Sequence, residues 1–161
     1  MHAMRVLFVC MGNICRSPTA EGVMASLLRE AGLDGDVELD SAGTGGWHAG
    51  APPDERATDA AARRGIVLEG AARRVRPSDF DDFDLLVAMD RENRADLLAM
   101  APDAAARAKV RLLREYDPVS AEAGDVDVPD PYYGGPDGFE RVLDVVAAGC
   151  RGLLADVRAL A

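Results

Sequence analysis

The sequence predicts an α/β protein, a three-layer doubly wound sandwich with a central four-stranded parallel sheet. Short apolar runs recur along the chain, and patterns typical of amphipathic helices lie between them. Strands that alternate with helices indicate parallel pairing through crossover helices, and an unbroken apolar run fits a strand buried on both faces. Because the 161 residues contain no repeat or linker, we expect one domain that spans residues 1–161.

The first two elements have the clearest limits. The run RVLFVC at residues 5–10 is the first predicted strand. A helix follows, in which Ser17 is the expected cap, Pro18 the first helical residue and Gly32 the end. Its apolar positions repeat with helical spacing and indicate one buried face; they are Ala20, Val23, Met24, Leu27, Leu28 and Ala31.

The later elements follow from the same signals. They are strands at 37–41, 84–89 and 109–113, helices near 54–64 and 91–100, and a final helix that begins near Pro136. Cys150 lies on the apolar stripe of that last helix, so we expect it in the core. Residues 116–138 are predicted to be one long polar loop, and a loop of that length in a compact domain is usually functional or disordered.

The chain is acidic, with 18 Lys and Arg against 28 Asp and Glu and a formal net charge of −10. A field of this sign repels phosphate backbones and anionic membranes, so it argues against nucleic-acid and membrane partners. Any anion site must therefore be formed locally.

Cysteine usage indicates a reduced protein. Cys10, Cys15 and Cys150 cannot all pair within the chain, and the first two follow a predicted strand. No apolar run approaches the roughly 20 residues of a membrane span, and the N-terminal run is too short for a signal peptide. We expect a monomer in the cytoplasm; secretion without a cleavable signal is the alternative.

The loop CMGNICRS at residues 10–17 has the features of an anion site. Ligands of parallel sheets bind at the carboxyl ends of the strands, and this loop leads from a strand into a helix N-terminus. Gly12 permits a turn that a side chain would obstruct, and amides folded around an anion need no net positive charge. Arg16 adds a planar fork that can hold two oxygens of a tetrahedral dianion.

Cys10 lies at the base of this loop. The donors that would bind phosphate would also stabilise a thiolate, so we expect Cys10 to be a nucleophile at neutral pH. The only histidines, His2 and His48, are not beside it in sequence, so a cysteine–histidine pair has little support. A buried cysteine at a strand end is the alternative, but the Cys, Arg and Ser spacing between a strand and a helix favours catalysis.

These residues carry a resemblance to a known family. The segment VCMGNICRSPTAEG at 9–22 resembles the phosphate-binding loop of the low-molecular-weight protein tyrosine phosphatases, and DSAGT at 40–44, AMDREN at 88–93 and DPYYGG at 130–135 are similar to that family's later landmarks. By this resemblance the phosphate-binding loop consists of Met11, Gly12, Asn13, Ile14, Cys15 and Arg16. It implies hydrolysis of phosphotyrosine in a protein or peptide, with inorganic phosphate as product and no metal or cofactor.

Phosphoryl transfer to a thiolate needs an acid for the departing oxygen. The candidates are Asp125, Asp127 and Asp130, and the residues alone leave the choice open, although prolines flank the last of them. The resemblance implies that Asp130 is the general acid. Cys10 would then take the phosphoryl group, Arg16 would hold its oxygens, and Asp130 would protonate the phenolate and later activate water.

The resemblance also implies a network that supports the loop. The side chain of Asn13 would hydrogen-bond to Ser17 and Ser41, which would hold Asn13 in a strained conformation and aim the amides inward. Relatives often carry a histidine as a further partner, and the aligned position is Gly70 in this chain.

Cys15 has two interpretations. It is either a small buried residue under the loop or a resolving thiol that forms a disulfide with oxidised Cys10 and protects the nucleophile. The resemblance supports the second role, and the two roles are compatible.

A phosphotyrosine pocket needs apolar walls for the ring. By resemblance those walls are Met11, Ile14, Trp47, Tyr132 and Tyr133. For Trp47 the alternative is a core anchor of its glycine-rich loop, and for His48 we favour a solvated loop position over the pocket entrance.

Other activities occur on similar folds. Phosphoarginine phosphatases carry a threonine at the position of Ile14. Arsenate reductases use further cysteines in the middle of the chain, whereas residues 16–149 contain none here. Both activities are kept as alternatives, together with a non-catalytic phosphate-binding module.

Overall fold

The computed structural model describes residues 3–131, 135 and 137–160. Within them, the strands are β1 (Met4–Cys10), β2 (Val37–Gly43), β3 (Leu85–Ala88) and β4 (Val110–Leu112). All pair in parallel, in the order β2-β1-β3-β4. The predicted four-stranded parallel sheet is therefore confirmed.

Helices connect the strands and cover both faces of the sheet. They are α1 (Arg16–Glu30), α2 (Glu55–Ala62), α3 (Asp79–Asp82), α4 (Arg91–Met100), α5 (Ala104–Ala108), α6 (Pro118–Ala123) and α7 (Asp137–Leu160), with a 3-10 helix at Leu113–Tyr116. None of the described helices combines the length and the apolar character that a membrane crossing needs.

Alternate side chains of β1 enter two separate hydrophobic cores. Val6 and Phe8 point to the core shared with α1, α2 and α7, and Leu7 and Val9 point to the core shared with α3, α4 and α5. All four side chains are fully buried. The period of two along a strand thus produces the three layers. Cys150, predicted to be core, is fully buried in the first cluster.

The strand order places the site. β1 pairs with β2 on one side and with β3 on the other, so the connections that leave β1 and β2 run to opposite sides of β1. A crevice forms outside the carboxyl end of the strand at which the order reverses. Cys10, the last residue of β1, lies at this point.

Two local predictions are corrected. α1 begins at Arg16 with Cys15 in the capping position and no side-chain cap, so Ser17 is helical and does not cap. The segment predicted as a polar loop contains α6, which Asp117 caps through Val119 N–H and which Gly124 ends at a φ of 73°. Its Asp-Pro start and glycine end are ordinary helix signals, which the polarity of the surrounding residues obscured.

Candidate active site

Cys10 is buried at the carboxyl end of β1 and its sulfur is surrounded by hydrogen-bonding groups. The amide of Asn13 donates to Cys10 Sγ over 3.2 Å, and the hydroxyl of Ser17 lies 3.0 Å from the same sulfur. A thiolate can accept both hydrogen bonds. The loop therefore fixes the position of this sulfur.

Asn13 has the strained backbone that the resemblance implied. Its φ is 57°, the one positive φ among the described residues other than glycine. Its side chain fixes this conformation from two directions: Nδ2 donates to Ser17 Oγ over 2.8 Å, and Oδ1 accepts the amide of Arg73 over 3.0 Å. Strain of this kind persists only where the surroundings overdetermine it.

The expected contact between Asn13 and Ser41 is wrong. Ser41 Oγ donates instead to Glu21 Oε1 over 2.7 Å, because a carboxylate is a stronger acceptor than an amide oxygen that the Arg73 amide already occupies. Gly70 has a φ of 98°, where a side chain would be strained. The backbone of Arg73 thus supplies the support expected from a histidine at position 70.

Arg16 is buried and joins three segments of the site. Nη1 donates to Asp90 Oδ2 over 2.6 Å and to the carbonyl of Val128 over 3.0 Å. Nη2 lies 3.8 Å from Asp130 Oδ2. Burial alone would lower the pKa of this guanidinium, but the Cys10 sulfur and the Asp90 carboxylate outweigh it and raise the pKa. Arg16 therefore stays a cation.

A cavity opens above the sulfur. Its lining residues are Cys10, Met11, Gly12, Ile14, Cys15, Arg16, His48 and Asp130. The nucleophile, the cation and the acid proposed from the sequence therefore meet in one cavity. A Cβ at Gly12 would lie 3.0 Å from His48 Cδ2, so glycine lets this histidine approach the loop.

Three of the five residues predicted to form walls for the substrate ring are among the described residues. Met11 and Ile14 line the cavity. Trp47 is 74% exposed and is not among the lining residues, so it is not a core anchor; its ring packs over Gly45. Tyr132 and Tyr133 lie outside the described residues.

The three acidic candidates have different partners. Asp125 pairs with Arg114 at 3.0 Å, and Asp127 pairs with Arg91, whose hydrogen bond lowers the pKa of Asp127. Asp130 alone of the three lines the cavity. Geometry therefore favours Asp130 as a proton donor.

Cys15 is buried and also lines the cavity. Burial, followed by the nearby Asp54 carboxylate, raises the pKa of its thiol to about 12. The two thiols of the loop therefore have different surroundings: Cys10 receives donors, and Cys15 faces an apolar core and an anion.

The expected solvated position of His48 is wrong, because this residue lines the cavity. Three further residues were not assigned to the site from the sequence: Glu21, Arg73 and Asp90. Asp90 carried a signal, since it lies two residues after the end of β3, at the edge of the sheet where ligands bind. Across the described part of the chain, no group of three or more His, Cys, Asp or Glu is arranged to hold a metal ion.

Comparisons with known proteins agree with this geometry. The family model for low molecular weight phosphotyrosine protein phosphatase matches residues 5–160. A low molecular weight protein-tyrosine-phosphatase of Streptomyces coelicolor is 54% identical over 154 residues, which is 96% of this chain and 93% of that protein.

Solved structures with the same fold also match nearly the whole chain. A protein tyrosine phosphatase from Entamoeba histolytica with Hepes in its active site superposes with a TM-score of 0.92 at 37% identity, over 98% of each chain. A Drosophila arginine phosphatase superposes with a TM-score of 0.87 at 33% identity, over 95% of this chain and 97% of its own. The chain therefore belongs to the low molecular weight phosphotyrosine protein phosphatase family.

Proposed function

We propose that this protein hydrolyses phosphotyrosine in proteins or peptides through a cysteinyl-phosphate intermediate. The observation that carries the proposal is the meeting of Cys10, Arg16 and Asp130 in one cavity at the carboxyl end of β1. A binding module would need neither a thiol nor an acid there. Family membership supports the substrate class.

In the first step, Cys10 Sγ attacks phosphorus in line and the bond from phosphorus to the phenolic oxygen breaks. Arg16 and the loop amides stabilise the charge on the equatorial oxygens. Asp130 gives its proton to the leaving oxygen. Asp90 and the Val128 carbonyl hold Nη1 at one edge of the Arg16 guanidinium, which orients the rest of it for the phosphoryl group.

In the second step, Asp130 takes a proton from water, and that water attacks the cysteinyl phosphate. The bond from sulfur to phosphorus breaks, inorganic phosphate leaves, and the Cys10 thiolate is restored. Asn13, Ser17 and the Arg73 amide support the loop throughout. No step uses a metal or a cofactor.

The apolar side chains of Met11 and Ile14 favour an aromatic substrate over phosphoarginine. By the family resemblance, Trp47, Tyr132 and Tyr133 would complete the walls when substrate is bound. The arginine phosphatase similarity keeps phosphoarginine as the second candidate. Arsenate reduction has less support, since residues 16–149 offer no further cysteine.

We also propose that residues 1–161 act as one domain, a monomer of the cytoplasm without nucleic-acid or membrane partners. Reduced cysteines and the net charge of −10 support this. The family model spans residues 5–160, which supports the single domain.

The decisive experiment compares the wild type with Cys10→Ser and Asp130→Ala. Cys10→Ser should lose turnover and keep phosphate binding. Asp130→Ala should lose about 10²-fold or more in kcat/KM for phenyl phosphate, a poor leaving group, and far less for p-nitrophenyl phosphate. Retained turnover in Cys10→Ser would exclude the nucleophile, and an equal loss for both substrates would exclude the acid role.

The substrate class is tested on the wild type with phosphotyrosine, phosphoserine, phosphoarginine and arsenate. Phosphotyrosine should have the highest kcat/KM. A preference for phosphoarginine or arsenate would replace the proposed activity, and inactivity toward all four would favour a binding module.

We further propose that Cys15 protects Cys10 from irreversible oxidation. Peroxide would convert the Cys10 thiolate to a sulfenic acid; Cys15 sulfur would then displace its hydroxyl as water and form a disulfide, which a thiol reductant opens. Both sulfurs line one cavity, which supports this step.

The pKa of Cys15 gives this proposal a pH dependence. Because that pKa is raised to about 12, the attacking thiolate is scarce at neutral pH and increases about tenfold with each pH unit. Recovery of activity with dithiothreitol after peroxide should be greater at about pH 8.5 than at about pH 6.5, and Cys15→Ser should recover little at either. Equal recovery of the two proteins would contradict the protective role.

A further inference from the structure

Residues 125–130, here called the acid segment, carry Asp130 but belong to no helix or strand. Their position therefore depends on contacts with the rest of the protein. Two arginines that do not line the cavity provide many of these contacts, Arg91 at the start of α4 and Arg114 in the 3-10 helix.

Arg114 holds the acid segment from the interior. It is buried, and its Nη1 donates to the carbonyl of Asp127 over 2.8 Å and pairs with Asp125 at 3.0 Å. Its Nη2 donates to Ser120 Oγ over 3.0 Å, and Ser120 donates in turn to Asp117 over 2.7 Å. This guanidinium is therefore fixed to α6 and its cap on one side and to the acid segment on the other.

Burying an arginine side chain costs more free energy than burying an apolar side chain. Nε of Arg114 is buried without a hydrogen-bond partner among the described residues. An unpaired buried donor costs free energy, and an apolar side chain of similar volume often serves stability as well as or better than a buried charge. The contacts of Arg114 with the acid segment therefore point to a role beyond packing.

Arg91 holds the same segment from the surface. Its amide donates to Asp127 Oδ1 over 2.9 Å, and its Nη2 pairs with Asp127 Oδ2 at 3.0 Å. The hydrogen bonds from Arg91 lower the pKa of Asp127, so that carboxylate stays ionised and paired at neutral pH. Asp127 is thus bound through its side chain by Arg91 and through its carbonyl by Arg114.

Asp127 is close in sequence to residues of the active site. The next residue, Val128, donates its amide to the Met89 carbonyl over 2.8 Å and accepts Arg16 Nη1 at its own carbonyl over 3.0 Å. Only Pro129, with its restricted φ, separates Val128 from Asp130. Asp127 is therefore one residue from a fixed point of the site and three residues from Asp130, so its contacts help to set the direction in which the segment reaches Asp130.

We propose that Arg114 and the Arg91–Asp127 pair are positioning residues that place the Asp130 carboxyl for proton transfer to the leaving group. The inference rests on the proposed acid role of Asp130. Neither arginine lines the cavity, and Arg16 is held by Asp90 and by the separately anchored Val128, so phosphate binding should not depend on them. Loss of either arginine should resemble a partial loss of Asp130.

The test measures kcat/KM for phenyl phosphate and p-nitrophenyl phosphate in Arg114→Met and Arg91→Gln, each alone and combined with Asp130→Ala. We expect about a tenfold loss with phenyl phosphate for Arg114→Met and a smaller one for Arg91→Gln. Losses with p-nitrophenyl phosphate should stay below about threefold. Both losses should disappear in the Asp130→Ala background, because there is no acid left to position.

Arg94→Gln is the matched control, since Arg94 is on the same helix and pairs with Glu115 of the 3-10 helix at 3.4 Å. It should lose no activity, and inhibition by inorganic phosphate should be unchanged in all three arginine variants. Arg91 is exposed, so its variant stays informative if Arg114→Met does not fold.

Two results would overturn the inference. One is an equal loss for both substrates, and the other is a loss that persists in the Asp130→Ala background, as a general structural defect would. If Asp130→Ala itself does not distinguish the two leaving groups, the acid role fails and the positioning role fails with it. The failure of the inference alone is thus distinguishable.

Discussion

At the scale of single residues, Glu21 is a partly buried carboxyl group that lines a small cavity beside Asn13 and Ser41. Glu21 accepts from Ser41 at 2.7 Å and is mostly buried beside Asp40 and Glu69. Burial, with the repulsion from those two carboxylates, raises the pKa of Glu21. The folded protein therefore holds a proton on Glu21 more tightly than the unfolded chain does.

This gives a prediction on stability. As pH rises from about 4.5, the ordinary value for Glu, through the raised pKa of the folded state, the contribution of Glu21 to wild-type stability should fall. Glu21→Gln keeps an acceptor for Ser41 without this titration. Its Tm should match that of the wild type near pH 4 and exceed it by a few degrees near pH 7.

The control is Glu30→Gln, at the exposed end of α1. It removes the same kind of charge from an exposed position, and the change in Tm difference between the two pH values should be larger for Glu21→Gln than for this control. A Tm difference for Glu21→Gln that does not change between the two pH values would contradict the burial of an ionised Glu21.

At the scale of elements, α7 packs so closely on the 3-10 helix that positions 149 and 152 have no room for a side chain. A Cβ on Gly149 would lie 2.7 Å from Leu113 Cγ, and one on Gly152 would lie 1.9 Å from the carbonyl oxygen of Tyr116. These glycines are three residues apart and so lie on one helical face. Glycine is therefore required at these two positions because the helices are close together, and not because a turn needs its backbone conformation.

We therefore expect Gly152→Ala to destabilise the protein by about 2 kcal/mol or more, despite the better helix propensity of alanine. Urea unfolding measures it as a lower midpoint. Gly138→Ala in the same helix is the control, since its Cβ would meet Pro131 Cβ at an ordinary 3.5 Å. Equal midpoints for the two variants would show that the interface can move apart at little cost.

At the scale of the whole molecule, the net charge of −10 opposes the approach of an anionic substrate. Many arginines do not offset this field for a substrate, because they are paired within the protein: Arg63 and Arg64 with Glu140, and Arg73 with Asp40 and Asp79. The positive potential of the cavity is therefore local.

A salt dependence follows. Raising ionic strength from roughly 0.02 M to roughly 0.2 M should increase kcat/KM about threefold for a phosphotyrosine peptide with acidic flanks, because salt screens the repulsion. The same peptide with neutral flanks, and p-nitrophenyl phosphate, control for competition by the salt anion. A parallel decrease for all three substrates would indicate that the global field does not reach the site.

Much of the fold was predictable because its signals are local. The apolar run of β1, the cap residue Asp54 before α2 and the spacing of α1 each involve neighbours in sequence. The limits of these elements agree with the predictions to within a few residues. The same holds for the nucleophile and the cation, since Cys10 and Arg16 are both in the short turn between β1 and α1.

The sequence by itself determined the layers, the parallel sheet and the loop at its carboxyl edge, because periodicity and turn chemistry act over a few residues. Tertiary structure alone decided the partners of that loop. Asp90 reaches Arg16 across 74 positions, and the Arg73 amide reaches Asn13 across 60. Such pairs form only where packing brings distant segments together and leaves a buried polar group that must find a partner.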